Sequence, residues 1–165
     1  QRSYANYAMF TRSYEGMSTA QDSGRFGVEY VGVTMLEPSG ELTFQNGLGW
    51  EVRGFALVRT ATRTDGGTLY HVPSAEIGGQ AFFNLKDKIR FESTVIYRGS
   101  RLGQGVNGDE LLSAYLDGRL SAVYTYNKQL NATFKVDNLF HSRITWWTGY
   151  PVQGIRANLG LVYKF

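Results

Sequence analysis

Apolar and polar positions alternate along most of this chain with a period of two, the spacing of β-strands that turn one face to an apolar medium and the other to a polar one. The last strand shows it best. Ile155, Ala157, Leu159, Leu161, Tyr163 and Phe165 share one face, and Arg156, Asn158, Gly160, Val162 and Lys164 the other. Before it, Leu130, Ala132, Phe134 and Val136 oppose Asn131, Thr133, Lys135 and Asp137. Leu116, Leu120, Ala122, Tyr124 and Tyr126 oppose Asp117, Arg119, Ser121, Val123 and Thr125. Residues 89–98 set Ile89, Phe91, Val95 and Tyr97 against Arg90, Glu92, Thr94 and Arg98, and residues 75–85 set Ala75, Ile77, Ala81, Phe83 and Leu85 against Glu76, Gln80 and Asn84.

The first third is less regular. Residues 26–36 place Val28, Tyr30 and Leu36 on one face, blurred by Val31, Val33 and Met35. Residues 41–61 begin with clean alternation (Leu42, Phe44, Leu48, Trp50, Val52), and the phase slips near Gly54, the mark of a bulge or a second strand. With a first strand over 3–11, the pattern predicts eight strands. No segment carries a helical i, i+3, i+4, i+7 stripe; residues 109–116 come nearest. Short turns are expected at Glu37–Gly40, Lys86–Lys88 and Asn127–Gln129. Longer connections are expected near 12–25, 62–74, 99–111 and 141–154, so tight and long connections alternate. That asymmetry is the one outer-membrane barrels show, and it would put both chain ends on the periplasmic side.

Alternation alone fits a water-soluble barrel or sandwich equally well. Three features favour lipid. Strands reach the ~9–11 residues that cross a bilayer when tilted. Tyr97, Tyr124, Tyr126, Phe140, Trp146, Trp147, Tyr150, Tyr163 and Phe165 stand near strand ends, where interfacial aromatic girdles lie. The chain closes on an alternating strand ending in Phe165. Composition agrees, with 15% aromatic and only 19% charged residues. The fold expected is therefore all-β, an antiparallel transmembrane β-barrel in the bacterial outer membrane, residues 1–165 forming a single barrel domain or a barrel segment. Lipid and lipopolysaccharide would surround it. Glu76, Arg90, Glu92, Asp117, Arg119, Lys135, Asp137 and Arg156 would face its lumen.

Candidate chemistry is sparse. The absence of cysteine removes thiolate catalysis, disulfides and Cys-based zinc sites. His71 and His141 are the only histidines, in no metal-binding or nucleophile-elbow spacing. Residues 103–110 are Gly-rich and acidic, but Asn107, Asp109 and Glu110 are too few for a Ca²⁺ loop. No catalytic residue, metal or cofactor is expected. A net charge of +3 spread singly over strands is no nucleic-acid footprint. Trp146, Trp147 and Tyr150 are the sharpest ligand-binding candidates, in competition with interfacial anchoring or loop packing.

Residues 136–165, VDNLFHSRITWWTGYPVQGIRANLGLVYKF, resemble the end of a TonB-dependent outer-membrane receptor. The likeness is carried by Asn138-Leu139-Phe140, Gly149-Tyr150-Pro151, Gly154 and Arg156 (with Ile155 inserted between) and terminal Phe165. Weaker matches in the same order are Gly27-Val28-Glu29, Val72-Pro73, Tyr97–Arg101 and residues 112–126. The resemblance implies active uptake of a scarce nutrient such as a metal chelate, cobalamin or a glycan. It also implies that Phe165 is read by the barrel assembly machinery. Such receptors have 22 strands and a plug, which these residues do not supply. The chain is thus expected to be a C-terminal portion of a receptor, or a reduced eight-stranded barrel with a structural, anchoring or partner-subunit role beside other outer-membrane subunits. A small outer-membrane enzyme is the further alternative.

Overall fold

The computed structural model describes residues 2–13, 25–105 and 107–165. Among them the chain forms strands β1 (Arg2–Ser13), β2 (Arg25–Leu36), β3 (Ser39–Asn46), β4 (Trp50–Val58), β5 (Thr60–Arg63), β6 (Ala75–Leu85) and β7 (Ile89–Arg98). There follow β8 (Arg101–Gly105), β9 (Gly108–Leu112), β10 (Tyr115–Thr125), β11 (Leu130–Asp137), β12 (Thr145–Trp147), β13 (Tyr150–Pro151) and β14 (Arg156–Tyr163). All pairing is antiparallel. One sheet runs β1-β2-β5, and a second runs β14-β11-β10-β7-β6-β4-β3.

The two sheets are joined by shared ribbons. Val33 pairs with Arg63 and Leu36 with Thr60; Ser39 then pairs with Leu57 and Asn46 with Trp50, without a register slip. So β2 and β3 are one long ribbon broken only at Glu37-Pro38, and β4 and β5 are one ribbon broken at Arg59. Pro38 has no amide for the ladder, yet its carbonyl still accepts the Val58 N–H at 3.1 Å.

The turn expected at Glu37–Gly40 is therefore corrected: the chain continues straight there and reverses at Gly47–Gly49. The reversal has its own sequence cause. Asn46 Oδ1 accepts the amides of Leu48 (3.2 Å) and Trp50 (3.0 Å), and Gly49 takes φ 88°. The second expected strand accordingly runs on to Asn46, and the third starts at Trp50.

Counted as ribbons, β1, β2–β3, β4–β5, β6, β7, β10, β11 and β14 form an eight-membered up-and-down meander. Tight reversals after Asn46, Leu85 and Thr125 fall at one end. The long connections 64–74, 99–114 and 138–155 fall at the other, the last two carrying the small hairpins β8–β9 and β12–β13. The residues nearest to a helical pattern, 109–116, lie in β9 and the start of β10. The first long connection lies largely outside the described residues. β1 and β14 do not pair with each other among the described residues, so the meander is an open arc.

Register sorts every side chain of the seven-stranded sheet onto one of two faces. One row reads Thr43, Arg53, Gln80, Thr94, Arg119, Asp137, Arg156, and the next on that face Gln45, Glu51, Phe82, Glu92, Ser121, Lys135, Asn158. The opposite face reads Phe44, Val52, Ala81, Ser93, Leu120, Val136, Ala157, then Asn46, Trp50, Phe83, Phe91, Ala122, Phe134, Leu159. Every Asp, Glu, Lys and Arg of these seven strands lies on the first face. Away from Gly118 the apolar face is uncovered among the described residues: Leu120 is 38%, Phe134 44%, Leu161 72% and Leu159 79% exposed. Near the tight-turn end that face carries aromatics. Trp50 stacks on Phe83 at 4.3 Å, Phe83 on Phe91 at 6.5 Å, and Tyr163 meets Phe165 edge-on at 5.2 Å.

The buried apolar cluster lies on the charged side of the sheet. Met9, Val31, Val33 and Met35 form a cluster with Tyr7, Ala61, Leu69 and Tyr70. Each such side chain contributes about 1.5–3 kcal/mol when withdrawn from water. Here the 64–74 connection folds back over the sheet, so odd positions of β2 that would otherwise be polar are apolar. That is the cause of the blurred alternation at Val31, Val33 and Met35.

Candidate functional site

Charge on the sheet includes two extended networks. Asp137 is nearly buried and receives Lys135 at 3.2 Å, Arg156 at 3.7 Å and Arg119 at 3.8 Å. Arg119 also reaches Asp117 at 3.2 Å. The register makes this possible, since Arg119, Asp137 and Arg156 are direct cross-strand neighbours on β10, β11 and β14. Two carboxylates thus hold three half-exposed cations. Nearer the long connections, Glu76 takes Arg98 at 3.1 Å and Arg59 at 3.7 Å, and Arg59 takes Glu37 at 2.6 Å.

Of the other expected lumen-facing residues, Arg90 lies 5.6 Å from the Phe82 ring, with Arg53 at 5.8 Å from the same ring. Glu92 lines a depression of about 370 Å³ with Gln80, Thr94, Arg119, Ser121 and Lys135. All eight residues fall on one face, as the alternation requires.

At the other end, three connections fold together into a cap. The His71 amide donates to the Leu102 carbonyl at 2.7 Å, and His71 Nε2 lies 3.4 Å from Thr148 Oγ1. Tyr70 Oη and Thr68 Oγ1 both donate to Asp109, at 2.8 and 3.1 Å. Arg101 donates to the Thr145 carbonyl. The cap is tied to β1 as well: Trp147 packs on Phe10 at 4.6 Å and on His71 at 5.0 Å.

Burial holds the His71 imidazole below its ordinary range, the Arg101 charge adds to this, and the Phe10 backbone pulls weakly the other way. Burial and the neighbouring Asp109 push the Tyr70 phenol up. Asp65, at the rim, is held at about 2 by Arg63 first and then by the Gly67 amide.

The three aromatics singled out in the sequence part company. Trp147 points into the cap. Trp146 lies with its ring 5.1 Å from the Arg98 guanidinium and is 40% exposed, and Tyr150 on β13 is 45% exposed. His141 stands apart from His71, its amide donating to the Asn138 carbonyl at 2.9 Å. Among the described residues no group of three or more His, Asp or Glu side chains could hold a metal ion. Phe165 is fully exposed at the tight-turn end.

Sequence reasoning missed Asn138 and Arg101 as structural centres. Asn138 is buried in the left-handed region (φ 52°) and makes three side-chain hydrogen bonds, to the Ser142 amide and carbonyl and to the Gln153 carbonyl. The Leu139 amide donates to the Gly118 carbonyl at 2.9 Å, and the Phe140 ring covers Gly118 so closely that a Cβ there would stand 2.5 Å from it. The Asn-Leu-Phe segment therefore pins the last long connection to the sheet.

No family model matches the chain, and no curated protein matches it. Solved structures do. The copper transporter OprC superposes with a TM-score of 0.71 at 13% identity, over 99% of this chain and 27% of that one. The fold is that of a TonB-dependent receptor barrel. The siderophore receptor PirA from Acinetobacter baumannii gives 0.68 at 16% identity (99% and 28%). The ferric-catecholate import receptor Fiu from E. coli K12 gives 0.67 at 18% identity (99% and 24%). The chain thus spans about a quarter of the length of the receptors whose barrel fold it shares, and the open arc is what a part of such a barrel presents.

Proposed function

We propose that this chain is a stretch of barrel wall from near the C-terminal end of an outer-membrane import receptor. The apolar face meets lipid and lipopolysaccharide, the charged face meets the lumen, and both chain ends are periplasmic. The observation that carries the reading is the one-sided charge. Twelve Asp, Glu, Lys and Arg side chains share one face of seven strands, while leucines on the other face stay exposed with nothing among the described residues to cover them. In water such a face would drive aggregation, and in lipid it needs no cover. Lipid in turn forbids the two open strand edges, because no water is present to satisfy their amides and carbonyls. This favours an arc completed by further strands over a closed ring of eight. The likeness to copper, siderophore and ferric-catecholate receptors supports a metal complex as the imported nutrient. The charged face has no catalytic task in this reading.

Two experiments test it. Single cysteines at Leu159 and Asn158 in the protein that carries this chain, assembled in outer membranes, should label oppositely. Position 159 should react with lipid-phase reagents and position 158 with aqueous ones; the reverse pattern ends the membrane assignment. A strain lacking the protein should lose uptake of at least one labelled ferric or copper chelate under metal limitation. Undiminished uptake across a panel of such chelates ends the import assignment and leaves the barrel assignment standing.

A further inference from the structure

The cap contains a positive charge that the described residues do not balance. Arg101 is 6% exposed, and its Nη1 has no hydrogen-bond partner. Its other contacts are neutral: Nη2 donates to the Thr145 carbonyl, and the guanidinium lies 5.2 Å from the centre of the Tyr115 ring. The nearby carboxylates are committed elsewhere. Glu76 holds Arg98 and Arg59, Glu37 holds Arg59, and Asp109 accepts from Tyr70 and Thr68. Glu110, two register pairs along the β8–β9 hairpin from Arg101, is exposed and forms no ion pair with it. Arg59 and Arg98 are thus paired with Glu37 and Glu76, and Arg101 has no ion pair among the described residues.

A buried guanidinium without a counter-charge is costly, by several kcal/mol in general. A carboxylate is the group that satisfies it with least geometric cost, because its two oxygens match the planar fork of N–H donors.

We propose that Arg101 is an anion-binding residue of the cap, and that a carboxylate group docks on its Nη1. The carboxylate comes either from a small organic acid in solution or from an Asp or Glu of the same protein outside these residues. Bound there, it neutralises the charge that presses on His71 and draws β8, β12 and the 64–74 connection into one body. Trp147, against Phe10 and His71, closes the same junction from the β1 side.

His71 provides a local reporter. In the full protein, labelled at histidine Cε1 and with His71 identified by His71→Gln, the ring's titration midpoint is followed as acetate is added. Ionic strength is held constant with perchlorate. A free-acid site predicts a saturable rise in the midpoint, absent in Arg101→Gln and retained in Arg101→Lys, with both variants checked for native folding by their melting temperatures. A site filled from within predicts no response to acetate. It also predicts an Asp or Glu oxygen within hydrogen-bond distance of Nη1 in an experimental structure of the full protein. The proposal is overturned if acetate has no effect and no such oxygen is found. It is equally overturned if acetate shifts Arg101→Gln as much as the parent, which would mark an adventitious ion only.

Discussion

Replacing Asn138 with alanine removes the pin of the last long connection, and the structure fixes what should follow. Three hydrogen bonds disappear, with lengths of 2.9, 3.0 and 3.2 Å, each contributing about 1 kcal/mol net. Alanine must also hold φ 52°, which asparagine tolerates and alanine resists by about 1 kcal/mol. The sum is about 4 kcal/mol, and at about 1.4 kcal/mol per tenfold it corresponds to roughly thousandfold faster opening of the connection. Hydrogen exchange of peptides spanning 138–155, in the full protein in detergent, reads this directly. Asn138→Gly relieves the backbone and should exchange several-fold more slowly than Asn138→Ala, though still far faster than the parent. Asn138→Asp keeps the acceptor for the Ser142 amide and should fall between parent and glycine. If Asn138→Ala exchanges within threefold of the parent, or if glycine is worse than alanine, the assigned role is wrong.

Three further outcomes follow from the same geometry. Leu120→Arg, at the middle of β10 on the apolar face, should destabilise the barrel by about 2–4 kcal/mol in urea titrations in lipid. Ser121→Arg, one residue along on the charged face, should cost less than about 1 kcal/mol; equal costs would contradict the two-faced assignment. The closed cap keeps His71 neutral, so its folded midpoint lies below the ordinary 6.5. Cap stability is then complete above about pH 6.5 and declines as pH falls from there through the depressed midpoint. Quenching of Trp147 by the protonated ring should report that midpoint, and a value at or above 6.5 would refute the burial argument. Asp65 should titrate at about 2 by carboxyl NMR and return toward 3.8 in Arg63→Gln; the Arg63 contact is then intact at neutral pH and lost as pH drops from the ordinary value through 2.

What the sequence determined by itself was the face of most residues in the later strands and the number of ribbons. Period-two alternation is a local property, since successive Cβ atoms point to opposite sides whatever the partner strand. Leu159 and Arg156, or Leu120 and Arg119, could therefore be assigned to opposite faces with no knowledge of pairing. The tail motif was legible for the same reason, being short and contiguous. The reversal at Gly47–Gly49 carries a turn signal in Asn46-Gly47, and the straight passage at 37–40 carries one as strong in Pro38-Ser39-Gly40. Composition marks both as turns, and only the unbroken pairing of β2–β3 with β4–β5 decides between them. The cap was not legible at all. His71, Arg101, Trp147 and Thr148 lie up to 77 residues apart in sequence, and loop residues carry no periodicity to announce a contact. Their meeting depends on where the strand ends deliver three connections, which is set by register and strand order. Tertiary structure alone also decided that Val31, Val33 and Met35 are buried beneath a connection, because a face that alternation marks as polar becomes apolar only when another part of the chain folds over it.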